Sequence, residues 1–145
     1  MLLILITACG SPRPSDLLGA DAELLAQTKV DGATAMVGAL PSGEWVTAIA
    51  RGEAVGSQRM KPNGNHPMPF HTAGITVVAG RAPEGAVRYE LLNESRVVLK
   101  GDVRDGVYLI AWPSAVERFA FILRLLDAKG NELYRWPPPG ALPAA

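Results

Sequence analysis

The chain has 145 residues with 14 basic and 14 acidic side chains, and its formal net charge is +0 at pH 7. No block of lysine or arginine occurs, which argues against nucleic acid as a partner. The single cysteine excludes an intramolecular disulfide, but a chain of this length buries roughly 68–70% of its unfolded surface on folding and needs none.

The chain begins with a short apolar run, residues 1–8, that ends in small residues before Cys9. A secretory signal has a basic start, an apolar stretch of about 7–15 residues and small residues at the cleavage site. The basic start is missing, and the run is shorter than the ~20 apolar residues of a membrane-spanning helix. The alternative to a signal is a free, buried cysteine at the beginning of the first strand or helix.

The sequence Ile6-Thr7-Ala8-Cys9-Gly10 resembles the lipobox of bacterial lipoproteins. The resemblance implies that residues 1–8 are a signal peptide removed before the cysteine, and that the thiol becomes lipidated. It also implies an extracytoplasmic protein, anchored by acyl chains to the outer face of a bacterial membrane. Two chains anchor a protein stably where one is marginal, because each buried methylene contributes about 0.8 kcal/mol.

Residues 9–31 are predicted to form a tether followed by one short helix. The tether is the Pro- and Ser-rich stretch 11–15, a composition that gives stiff linkers. The helix is predicted over residues 21–27, which are rich in good helix formers and have Asp21 at the N-cap position. Seven residues are too few for a helix that is stable alone, so we expect it to pack on the domain that follows.

Residues 32–136 alternate between short apolar runs and turn residues every 8–12 residues or so, which is typical of a β-sandwich. Hairpin turns are predicted at residues 41–43, at Asp105-Gly106 and around Gly130. Between such turns the pattern predicts strands at residues 34–40, 44–50, 75–81, 87–91, 96–103, 107–112 and 133–136.

Two structures are compatible with residues 114–129. Ser114 and Glu117 fit a helix capping box, and Gly130 fits a helix stop. However, several apolar residues fall on the face of such a helix that carries the charged ones, so no clean apolar stripe results. The apolar run 119–123 suits a strand buried on both faces, and this is the interpretation we favour.

The blocks 78–81, 85–90, 105–113 and 123–133 follow one another in an order that resembles a β-sandwich module. This module occurs in uncharacterised exported or membrane-anchored proteins of GC-rich bacteria, especially actinobacteria. Its members have an Asp-Gly turn before an aromatic strand that ends in Trp-Pro, and a final hairpin of the form Leu-Asp-Ala-x-Gly. The resemblance covers under half of the chain and implies fold and location, but the group has no established activity from which site residues follow.

These patterns predict an all-β, immunoglobulin-like sandwich of about seven to eight strands, with a short N-terminal helix and a lipid tether. The Pro-rich residues 137–145 follow the last strand. Proline cannot donate a hydrogen bond to a sheet, so we expect this tail to be polyproline-like or disordered.

The strongest candidate for ligand chemistry is the segment 60–71, which holds both histidines. Imidazole and thioether ligands suit Cu(I), and His66-Pro67-Met68 resembles the His-x-Met element of periplasmic copper chaperones. The ligand chemistry of this segment predicts a copper site formed by His66, Met68 and His71, to which Met60 is a further candidate ligand. The upstream methionine of that motif is missing, because Glu44 stands near its place. The alternative is an ordinary loop in which Pro and Asn-Gly form turns and methionine fills gaps.

No catalytic or cofactor motif is recognisable in the sequence. None of the serines lies in a Gly-x-Ser-x-Gly elbow, and no Gly-Lys-Ser/Thr follows the glycines as a phosphate loop requires. Trp45, Trp112 and Trp136 are candidates for a carbohydrate- or peptide-binding face, but core packing is the interpretation that we favour.

We therefore predict a non-enzymatic interaction or structural module of the cell envelope, without a cofactor. Its expected partners are the membrane, reached through the lipid anchor, and an envelope protein. The alternatives are the copper-binding protein and an enzyme whose site the sequence does not reveal. A pocket with perturbed carboxylates or a serine–histidine contact would favour the enzyme.

Overall fold

The computed structural model describes residues 13–62, 67, 69–114 and 121–138. These residues form one short helix, α1 (Pro14–Leu18), and eleven strands. The strands are β1 (Glu23–Val30), β2 (Ala33–Ala39), β3 (Trp45–Arg51), β4 (Ala54–Met60), β5 (Phe70–Thr72), β6 (Ile75–Arg81), β7 (Arg88–Asn93), β8 (Arg96–Asp102), β9 (Val107–Pro113), β10 (Phe121–Leu126) and β11 (Glu132–Trp136). Within this part of the chain, no helix is both long and apolar enough to cross a membrane.

The strands form three antiparallel sheets. The meander sheet has the order β1-β2-β3-β4, the middle sheet β5-β6-β9 and the outer sheet β11-β10-β7-β8. Strands β5 to β11 make an immunoglobulin-like sandwich. β5, β6 and β9 share one of its sheets, and the connections β6–β7 and β9–β10 cross from this sheet to the other. The predicted all-β sandwich is confirmed, and the strands that the structure describes outnumber the seven to eight predicted.

The middle sheet is buried on both faces. Along β6, Ile75, Val77 and Ala79 pack against the meander sheet, whereas Val78 lies in the cluster shared with the outer sheet. Successive side chains of a strand point to opposite faces, so one strand contributes to two cores. The apolar run that predicts β6 is continuous for this reason, and the structure places the strand at the predicted residues.

The meander sheet is also covered on both faces in its central strands. Ala35 and Ile49 pack toward the middle sheet, and Met36 and Ala48 point the other way, where Leu18 of α1 covers them. Proline begins α1, a position where its missing N–H has no helical partner to lose. A five-residue helix is not stable alone, so α1 depends on this docking.

The helix predicted over residues 21–27 is wrong. Most of this segment belongs to β1, which pairs with β2 through the two-residue turn Asp31-Gly32. Its burial alternates as in an edge strand, with Thr28 and Val30 half-buried and Gln27 exposed. Pairing with β2 therefore overrides the helix propensity of its residues. The only helix among the described residues is α1, which begins within the stretch predicted to be tether and extends beyond it to Leu18.

The other strand predictions are mostly confirmed. Strands β2, β3, β6, β7, β8, β9 and β11 lie within a few residues of their predicted positions. The contested segment contains β10, as the strand interpretation requires, while residues 115–120 lie outside the described residues. The sequence did not predict β4 and β5, because β4 is polar and largely exposed and β5 has three residues. Residues 1–12 and 139–145, with the predicted signal peptide and most of the predicted tail, also lie outside the described residues.

Two tyrosines lie flat over glycines of neighbouring strands. Tyr108 of β9 covers Gly80 of β6, and Tyr89 of β7 covers Gly101 of β8. A Cβ atom at Gly80 would lie 2.7 Å from Cζ of Tyr108, and one at Gly101 would lie 2.6 Å from Cζ of Tyr89. Both contacts are shorter than carbon atoms tolerate, so these positions need glycine.

We expect Gly80→Ala to lower the free energy of unfolding by about 1–3 kcal/mol, because the added methyl displaces the buried Tyr108 ring. Urea unfolding followed by tryptophan fluorescence measures this change. Ser57→Ala, at an exposed position of β4, is the control and should stay within about 0.5 kcal/mol of the parent. An unchanged midpoint for Gly80→Ala would show that the ring moves aside freely.

A network of ion pairs crosses the outer sheet on its solvent face. Arg124 of β10 contacts Glu90 of β7 at 3.1 Å and Glu132 of β11 at 2.9 Å, and Arg135 also contacts Glu132. Less than a third of each of these side chains is exposed. The pairs are therefore less screened than those on an open surface, and they join three strands.

Arg124→Met should lower the free energy of unfolding by about 1 kcal/mol, and this loss should shrink at high salt. The matched control is Arg59→Met, since Arg59 is 69% exposed and lies 3.8 Å from its partner Glu44. We expect that control to change stability by less than about 0.5 kcal/mol. Equal losses for the two variants would contradict a special role of the network.

Candidate functional site

An open cleft of about 470 Å³ lies where the edges of the three sheets come together. Its volume falls within the range of roughly 300–1,000 Å³ that is usual for ligand pockets. We call it the seam cleft, and its walls come from β1, β9 and the outer sheet with the turn that follows β8. Its lining consists of Leu25, Ala26, Gln27, Thr28, Tyr89, Asp102, Arg104, Asp105, Val107 and Leu109.

The cleft exists because two edge strands lie side by side without pairing. β1 is the edge of the meander sheet and β9 is the edge of the middle sheet, and no ladder joins them among the described strands. Their side chains nevertheless meet, since Leu25 and Ala26 pack in the same cluster as Val107. The apolar floor of the cleft is thus an extension of the core.

A tight turn carries two charged residues to the rim of the cleft. Arg104 and Val107 exchange backbone hydrogen bonds of 3.1 and 2.9 Å across Asp105 and Gly106. Both central residues have positive φ, 53° and 73°, as a two-residue hairpin turn of the primed type requires. The turn predicted at Asp105-Gly106 is confirmed, but only the single bridge between Arg104 and Val107 flanks it, because β8 and β9 belong to different sheets.

The hydrogen-bond pattern of β9 leaves backbone groups directed at the open edge. The Ser114 N–H donates to the Gly74 carbonyl at 2.8 Å, and the Ala82 N–H donates to the Gly106 carbonyl at 2.7 Å. In the same register the even-numbered residues of β9 bond to β6. The N–H and C=O of Leu109 therefore point away from β6, toward the edge where the cleft lies.

The charged groups of the cleft are not neutralised by neighbours. Asp102, Arg104 and Asp105 are exposed, and none of them forms an ion pair within the described part of the chain. Burial, and then the charge of Asp102, raises the pKa of Tyr89 above its usual value. This phenol therefore stays protonated at neutral pH and can donate a hydrogen bond.

A second polar arrangement joins His71, Thr76 and Ser114. Nδ1 of His71 lies 2.7 Å from Oγ1 of Thr76, and that hydroxyl lies 2.7 Å from Oγ of Ser114. His71 and Thr76 face each other across β5 and β6 at a position without backbone hydrogen bonds, where opposing side chains come closest. Thr76 is only 3% exposed, so the two contacts satisfy a buried hydroxyl.

This chain of hydroxyls is not the nucleophile–base pair of a hydrolase. Such a pair needs the serine within hydrogen-bond reach of the base, and the base oriented by a third group. Here the Thr76 hydroxyl stands between Ser114 and the imidazole. No carboxylate among the described residues forms a hydrogen bond to His71.

The predicted copper ligands are only partly described. His66 and Met68, like the predicted lipidation site Cys9, lie outside the described residues. His71 is exposed, and its Nδ1 is engaged by Thr76, which leaves Nε2 for a metal. Met60 packs with Ala79 on the opposite face of the middle sheet from Thr76. Within the described ranges no group of three His, Cys, Asp or Glu could hold a metal ion, and the copper site stays a prediction.

Trp45 and Trp112 lie in different cores and do not share a face. Trp45 is 4% exposed and packs with Val37 and Ala79, and the Arg81 guanidinium lies 5.4 Å from its ring centre. Trp112 belongs to the other core, where its ring meets Phe121 edge to face at 5.9 Å. The preferred prediction of core packing is confirmed for Trp45.

Sequence reasoning missed the seam cleft although it predicted one of its turns. Tyr89 and Asp102 were only parts of predicted strands, and β1 was predicted to be a helix. The adjacent charges at Arg104 and Asp105, on a predicted turn, are the one signal in the sequence that marks this position.

Comparison with known proteins gives no relative. No protein-family model matches the chain, and no curated protein or solved structure is significantly similar to it. The site must therefore be interpreted from its own chemistry.

Replacing Asp102 by Asn should lower the pH at which Tyr89 ionises, because a negative charge beside the phenol is removed. Tyr89 stabilises the fold as the protonated phenol, so its contribution is complete below its unfolded pKa of about 10 and is lost as pH rises through the higher folded value. NMR titration of labelled tyrosine rings, assigned with Tyr89→Phe, measures the shift. Asp105→Asn is the control, and an equal shift in both variants would contradict a specific effect of Asp102.

Proposed function

We propose that this chain is an extracytoplasmic lipoprotein, anchored through Cys9, whose β-domain binds a ligand or partner in the cell envelope without catalysing a reaction. The observation that carries the proposal is the sequence Ile6-Thr7-Ala8-Cys9, which follows an apolar run. Lipidation of such a cysteine provides two acyl chains or more, enough for stable attachment to a membrane.

The position of α1 determines how close to the membrane such a domain would lie. The helix begins at Pro14, five residues after the proposed lipidation site, and it packs on the outer face of the meander sheet. Five extended residues span at most about 17 Å. The proposed anchor therefore holds this end of the domain near the membrane surface.

The seam cleft supports a binding role. Its exposed lining is mostly polar, and Leu25 and Val107 of the adjoining core add an apolar part, so it suits a ligand with charged ends and an apolar side chain. Arg104 and Asp105 have no ion-pair partner within the described chain, so they are available to a ligand. The one histidine hydrogen-bonded within the described residues contacts a buried threonine instead of a nucleophile, which favours binding over hydrolysis.

The proposal predicts the mass and location of the protein in its native host. Protein purified from membranes should have the mass of a chain cleaved before Cys9 plus its acyl chains. Cys9→Ser should abolish acylation and move the protein out of the membrane fraction, because a hydroxyl cannot form the thioether. Ser11→Ala, two residues away, is the control and should behave like the parent. An unmodified chain that begins at Met1 would contradict the proposal.

A further inference from the structure

The seam cleft has the length and the backbone groups to hold a short extended chain. The segment of β1 that lines it, residues 25–28, spans about 10 Å at the rise of a strand. An extended tripeptide has about the same length. On the opposite wall the N–H and C=O of Leu109 point to the open edge, where an extended backbone could bond to them.

The cleft does not suit a long strand. A strand added to β9 would need the whole edge of β9 free, but β1 lies beside β9, with Val30 packed in the same cluster as Leu109 and Ala111. A ligand confined to residues 25–28 of β1 must therefore end within the cleft or close to it. The charged residues Asp102, Arg104 and Asp105 line this same cleft.

The charges at the rim match the two ends of a peptide. Arg104 offers a planar guanidinium, which binds carboxylates with two parallel hydrogen bonds. Asp102 and Asp105 accept hydrogen bonds from an ammonium group, and the protonated Tyr89 adds a donor. Two carboxylates against one guanidinium disfavour polyanions such as nucleic acid or phosphate-rich surfaces. The apolar wall formed by Leu25 and Val107 can accept an apolar side chain.

We propose that the seam cleft binds short zwitterionic peptides of two or three residues, with the carboxylate at Arg104, the ammonium group at Asp102 and Asp105, and the backbone at Leu109. This inference rests on the proposed function, which places the cleft among peptides outside the cytoplasm. It adds the chemical class of the ligand and the residue that recognises each end.

The test is isothermal titration of the full-length protein, purified in detergent, with the tripeptide Ala-Leu-Ala and its N-acetylated and C-amidated forms. We expect the free tripeptide to bind, and each blocked form to bind about tenfold more weakly or worse, since a hydrogen bond between charged groups is lost. Free leucine should bind more weakly than the tripeptide, because it lacks the backbone that meets Leu109.

Variants then show which residues bind each end of the peptide. Arg104→Gln should weaken binding of the free tripeptide about tenfold and leave the amidated form unaffected, because that form has no carboxylate to lose. The double variant Asp102→Asn, Asp105→Asn should act in the same way on the free tripeptide and spare the acetylated form. Arg96→Gln, an exposed charge at the other end of β8, is the matched control and should bind like the parent.

Three results would overturn the inference. One is the absence of tripeptide binding, and another is equal binding of the free and blocked peptides. Binding of free leucine as tight as that of the tripeptide would also overturn it, since the site would then take amino acids. None of these results affects the membrane fractionation of the Cys9 variant, so failure of the proposed function is recognised separately.

Discussion

The fold depends on a middle sheet that is buried on both faces. Three strands, β5, β6 and β9, separate two cores, and β6 supplies side chains to each of them. Continuous apolar sequence is the condition for such a strand, because neither face meets water. The outer sheet then needs only one apolar face against the middle sheet, whereas α1 covers the second apolar face of the meander sheet. The edge strands β1, β4 and β8 can be polar and partly exposed.

The seam cleft forms where edge strands of neighbouring sheets lie side by side without pairing. Where β1 and β9 run next to each other without a ladder, the core reaches the surface and the backbone of Leu109 remains directed outward. The charged residues differ accordingly in their surroundings. Arg124 is held between two glutamates across three strands, whereas Arg104 stands on a turn and has no such partner among the described residues. Arg124 contributes to the stability of the outer sheet, and Arg104 is available to bind a ligand.

Local sequence was enough to predict the strands whose own composition determines their structure. The apolar run at Ile75 and the Asp105-Gly106 turn are examples, because burial and positive φ leave few alternatives. β1 could not be predicted from its own residues, because they favour a helix and only pairing with β2 makes them a strand. The cleft could not be predicted for a related reason, because its walls come from three separate parts of the chain. No spacing in the sequence indicates that Asp102 and Leu25 line the same cavity.

The meander sheet has a consequence for the order in which the chain acquires structure. Its four strands are joined by consecutive hairpins, so all of its pairings are local, whereas the sandwich needs distant pairings such as Ile75 with Pro113. Low contact order favours fast folding, and the N-terminal part also leaves the ribosome first. The meander can thus form early, but its inner face, with Ile49 and Trp45, then has no cover. A meander that formed ahead of the sandwich would expose this apolar face to aggregation until the middle sheet covers it.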